Sequence, residues 1–154
     1  LLDTSGGGIE ADAFEDAVSL AASFACTVDE SESLLDLMFV GDQAYVFTAG
    51  RGLAHGGQVL EVLASVALRP GSDPSTLEGL VLRHIGSLSG CVLLLLGWDD
   101  ARRRLRERIE SNLVPTLTFV IASQPVPPDL ELPPNTFWVE VGHMEETLDR
   151  LGVA

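Results

Sequence analysis

The residues of this chain whose types and spacing best suit chemistry stand at its start, in Asp3-Thr4-Ser5-Gly6-Gly7-Gly8. A carboxylate and a hydroxyl two residues apart, after a leucine-rich strand and ahead of a helix, suit hydrogen bonds to the open amides of the turn and of that helix. The three glycines would also let a phosphate approach helix amides, which opens a nucleotide-binding reading. Against it, the spacing fits neither a P-loop nor Gly-x-Gly-x-x-Gly, and the chain has no lysine.

Other reactive residue types are scattered. His55, His84 and His143 fall in different elements with no metal-ligand or triad spacing, and neither Ser123 nor Cys26 has a base beside it in sequence, so no nucleophile is nominated. Positive charge is concentrated: Arg102, Arg103, Arg104, Arg106 and Arg108 are five of the nine basic residues. They alternate around Ala101, Leu105 and Ile109, with Glu107 and Glu110 at helical spacing. One reading is a solvated helix face. The other is a basic patch, with Arg102, Arg103 and Arg106 foremost, that docks an acidic partner surface, because a planar guanidinium suits carboxylates.

The elements that must position these residues follow from periodicity. Apolar residues at steps of three and four predict helices over 13–28 and 58–68, and from Ser75 to about Ile85, where Asp73, Ser75 and Thr76 are available as caps. A further helix, capped by Asp99 or Asp100, runs to about Ser111, and 144–151 closes the chain. Strands are expected at 33–40 and 44–48, joined by a tight turn over 41–43 as an antiparallel hairpin, and at 91–96, 117–122 and 137–141. The run Cys91-Val92-Leu93-Leu94-Leu95-Leu96 is apolar on both faces, as a central parallel strand covered by helices requires. Five of the eight prolines lie in 124–135, a stiff surface connection. The layout is α/β, a single domain over 1–154. Its ligand-facing loops should gather at the carboxyl ends of the strands, after Leu2, around Ser75 and after Leu96.

A formal net charge of -14 repels phosphate backbones and anionic lipid, which excludes nucleic acid as the natural partner. No apolar run reaches the roughly 18 to 20 residues of a membrane helix. Cys26 and Cys91 sit in apolar segments and read as free buried thiols of a reducing, cytoplasmic compartment. Leu1 and Leu2 read as the end of a buried strand, so a longer protein is expected, with any membrane anchor upstream.

The opening Leu1-Leu2-Asp3-Thr4-Ser5 resembles the start of the metal-ion-dependent adhesion site of von Willebrand factor A (vWA) domains, whose pattern is Asp-x-Ser-x-Ser. The resemblance covers nearly the whole chain. It is closest to a bacterial family of unknown function with a vWA-like domain, found beside MoxR-type AAA+ ATPases. The helix segment Phe14-Glu15-Asp16-Ala17-Val18-Ser19-Leu20-Ala21-Ala22-Ser23 and the element Ala49-Gly50-Arg51-Gly52 carry it further. It implies a three-layer, Rossmann-type sandwich around one six-stranded, mostly parallel sheet with one antiparallel edge strand. It also implies a non-catalytic protein-binding module that serves the ATPase or its client. Asp3, Ser5 and Thr76 fit the magnesium-site pattern, and Asp99 stands within reach. Gly7, however, replaces the second serine, and Leu96-Gly97-Trp98 replaces the usual Thr-Asp-Gly, so magnesium binding is expected to be weak or absent. The same opening also looks like the Asp-Thr-Ser-Gly signature of aspartic proteases, with Asp3 as the acid, although a helix and not β-structure follows it.

Overall fold

The computed structural model describes residues 1–6, 11–29, 34–49 and 54–151. In chain order it has α1 (Ala11–Asp29), β1 (Leu35–Val40), β2 (Ala44–Ala49), α2 (Ala54–Ser65), α3 (Pro74–His84), β3 (Cys91–Leu96), α4 (Asp100–Ser111), β4 (Thr116–Ala122), β5 (Thr136–Glu140) and α5 (Met144–Leu151), with a 3-10 turn Ile85–Ser87 after α3. The fold is α/β, with helices on both faces of the strands.

Each strand's side-chain alternation decides which helices it meets. Leu94 and Leu96 of β3 point into a core with Phe14, Ala17 and Leu20 of α1 and Val59 and Leu63 of α2. Leu93 and Leu95, one residue out of phase, point into a second core with Leu77, Leu80 and Val81 of α3 and Leu105 and Ile109 of α4. Both faces are therefore dry, and the continuous leucine run is explained. In α1, Ala13, Phe14, Ala17, Leu20, Ala21 and Ala25 form the buried stripe. Cys26, expected inside, is exposed, because it lies one step round the helix from Ala25.

The strands do not form the single six-stranded sheet expected. They form a two-stranded antiparallel sheet, β1-β2, and a three-stranded parallel sheet, β3-β4-β5. The hairpin register runs from Leu35↔Ala49 to Val40↔Ala44, and Gly41 N–H donates to Gln43 O at 2.8 Å in the turn. Residues 1–3 run between the two sheets and bond to both. Leu2 N–H donates to Met38 O, Leu94 N–H to Leu1 O and Asp3 N–H to Leu94 O, each at 2.9 Å. They contribute one isolated parallel bridge, Leu2↔Leu94, too short a pairing to count as a ladder that joins the sheets.

Helix α2 ends at Ser65, three residues before the predicted end. Leu68 is pulled away because the chain beyond α2 packs on the opening loop: Arg69 N–H donates to Thr4 O at 2.8 Å, and a Cβ on Gly6 would lie 2.6 Å from Leu68 Cδ1. The other helix starts agree with their caps. Asp73 accepts from Ser75 N–H at 2.9 Å and Asp99 accepts from Arg102 N–H at 2.9 Å.

Candidate functional site

The carboxyl ends of the strands converge on Asp3. Its backbone leaves the gap between the sheets, its side chain is buried, and each of its oxygens is engaged. Oδ1 accepts from Ser5 N–H at 2.8 Å and from Ser5 Oγ at 2.5 Å. Oδ2 accepts from Arg102 Nε at 2.7 Å and from Leu96 N–H at 3.2 Å. The guanidinium extends the network: Nη1 donates to Asp99 Oδ2 at 2.5 Å, and Nη2 donates to Ser5 O at 2.5 Å and Ser5 Oγ at 3.3 Å. One arginine thus ties the opening loop, the end of β3 and the first turn of α4 together. Beside it, buried Thr4 donates to Val40 O at 2.5 Å and fastens the same loop to the end of β1.

Of the residues expected at this place, Asp3, Ser5 and Asp99 come together, and Arg102 brings them there. Thr76 does not join them. It is exposed in the first turn of α3, where its N–H donates to Asp73 O at 3.0 Å. Gly7 and Gly50-Arg51-Gly52 lie outside the described residues. Gly97 turns the chain with φ +87°, so the aspartate that the adhesion-site pattern would want there would be strained.

The expected arginine patch also divides. Arg102 and Arg106 are buried, and only Arg103 of the three faces solvent, paired with Asp100. Arg106 Nη2 donates to Pro134 O at 2.6 Å and bridges Glu110 at 2.7 Å, while its buried Nε has no hydrogen-bond partner among the described residues. The signal for both was phase: positions 102, 105, 106 and 109 form one stripe at steps of three and four, the buried side of α4. Sequence reading set the arginines apart from that stripe because of their charge, and it missed Thr4 altogether.

The donors around Asp3 do not fit a divalent cation. A guanidinium already holds the carboxylate, and a divalent ion about 4 Å from it would be repelled by roughly 8 kcal/mol at an effective dielectric near 20. Among the described residues, no group of three or more His, Cys, Asp or Glu could hold a metal ion. Comparison with protein-family models, curated proteins and solved structures finds no match to this chain.

Proposed function

We propose that the domain is a non-catalytic protein-protein interaction module of vWA-like fold, working with a MoxR-type AAA+ ATPase in the assembly or remodelling of a client. The observation that supports the non-catalytic part is the state of Asp3. Both its oxygens are taken by Ser5, the Leu96 amide and Arg102, so the carboxylate holds loops in place. That speaks against Asp3 as a protease acid. The nucleotide reading also loses support, because Gly6 N–H donates to Thr4 O at 3.1 Å instead of facing an anion.

For the fold, the support is coarser: a parallel β3-β4-β5 sheet with helices on both faces, and an antiparallel β1-β2 hairpin to which residues 1–3 bond from the edge of β3. This agrees with the α/β layering of the vWA resemblance, although not with its single six-stranded sheet. A docking surface on the outer side of α4, where Arg103 and Arg104 are exposed, replaces the inward-facing arginines in this reading. A cytoplasmic setting suits Cys26 and Cys91, which stand unpaired. Among the described residues no helix is long and apolar enough to cross a membrane.

Co-purification of the full-length protein with its neighbouring ATPase tests the proposal. Retention that is lost with Arg103→Glu supports the α4 surface. A reproducible peptidase or nucleotidase activity of the domain, abolished by Asp3→Ala, would overturn the non-catalytic reading.

A further inference from the structure

We propose that Arg102 is the resident cation of the Asp3–Ser5 site: it does the binding work of a metal ion there, so the domain holds its strand-end loops without one. The inference rests on the geometry at Asp3 and stands whether or not the ATPase reading holds.

Three observations carry it. First, Arg102 Nε meets Asp3 Oδ2 at 2.7 Å, and Nη2 meets Ser5 at both its carbonyl and its hydroxyl, so the guanidinium engages the oxygens that an ion at this loop would need. Second, Arg102 and Asp3 are nearly inaccessible, with side-chain exposures of 8% and 2%, so the pair is built into the interior. Third, the arginine comes from the first turn of α4, where Asp99 both caps the helix and accepts from Nη1. The helix start and the charge pair therefore form as one unit. A magnesium ion demands oxygen ligands in near-octahedral array at about 2.0–2.1 Å, a geometry that a guanidinium among those oxygens forbids. An arginine also needs no free ion, so any partner that reads these loops meets the same arrangement at every magnesium concentration.

The test uses manganese(II) as a paramagnetic probe, followed by NMR on the amides of Thr4, Ser5 and Gly6, together with melting temperature in magnesium and in chelator. The unaltered protein is expected to show no broadening and the same melting temperature in both. Arg102→Gln is expected to melt roughly 10 °C lower, since it leaves Asp3 buried without its counter-ion. It should also gain manganese broadening at those amides, and adding Asp3→Asn should abolish the gain. Broadening in the unaltered protein, or Arg102→Gln that folds and gains none, would overturn the proposal. Should Arg102→Gln fail to fold, Arg102→Lys keeps the charge and is expected to show no broadening. Broadening in Arg102→Lys would equally overturn it.

Discussion

The carboxyl ends of β1 and β3 are tied by buried polar bonds, whereas their amino ends border an open, largely apolar pocket. At the first, Arg102 links Asp3, Ser5 and Asp99, and Thr4 closes on Val40. At the second, a cavity of about 980 Å³ is lined by Leu35 and Leu37 of β1, Cys91 and Val92 of β3 and Phe24 of α1. The difference teaches where specificity resides. Apolar packing brings the elements together, and it tolerates exchange between side chains of similar volume. A buried ion pair tolerates none, because removing one member strands the other in a poor solvent for charge.

The largest effect should come from the charged end. Asp3→Ala leaves the Arg102 guanidinium buried beside Ser5, and it is expected to cost about 3–5 kcal/mol in urea unfolding. Asp100→Ala, which breaks the exposed pair with Arg103, should cost about 1 kcal/mol or less. Equal losses for the two would show that burial of the Asp3 pair does not govern stability.

At the apolar end the comparison can be made within one strand. Leu94 borders the cavity and Leu95, its neighbour, packs instead against α3 and α4. Truncation costs most where a well-filled site must be emptied, so Leu95→Ala should lose roughly 4 kcal/mol and Leu94→Ala roughly 2 kcal/mol. A reversed order would mean that the cavity collapses in solution and that Leu94 is packed on all sides.

The thiols report on the same asymmetry. Burial pushes the Cys91 thiol above the usual thiol range, while Cys26 is exposed on α1. A disulfide exchange reagent should therefore label Cys26 in a fast phase and Cys91 in a slow one, and Cys26→Ser should remove only the fast phase. The sign of the pH dependence follows. The fold holds the Cys91 proton more tightly than the unfolded chain does, so this contribution is intact below the unfolded thiol's range. It is lost as pH rises through the raised value. Cys91→Ala should flatten the alkaline fall in melting temperature, and an unchanged fall would assign it to other groups.

The elements were legible where local chemistry decides them. Asp73 and Asp99 cap the helices that they appeared to cap, and the alternation of Leu93 to Leu96 matches two cores. What was not legible depends on residues far away in sequence. Nothing near Arg102 says that Asp3, 99 positions earlier, waits opposite it, and an arginine without a known partner is read as solvent-facing. Helix α2 stops short of Leu68 because Thr4 and Gly6 capture that segment, which helix periodicity does not register. The bridge that residues 1–3 make between the hairpin and β3 is likewise long-range, pairing Leu2 with Leu94, and no local pattern registers it.

The smallest effect tests how tightly the charged end is packed around its clasp. Gly6 has no side chain, and a Cβ added there would lie 2.6 Å from Leu68 Cδ1 and 3.1 Å from its Cγ. Contacts that close must be relieved, but Leu68 is only half-buried and its far end can rotate away. Gly6→Ala is therefore expected to cost about 1 kcal/mol, at the low end for overpacking. Leu68→Ala removes the obstructing atoms, so the double variant Gly6→Ala/Leu68→Ala should lose less than the two single losses added together. Strict additivity would mean that the loop shifts as a whole to admit the methyl group. In that event the hydrogen bond from Arg69 N–H to Thr4 O should weaken, and the Arg69 amide should exchange faster with solvent.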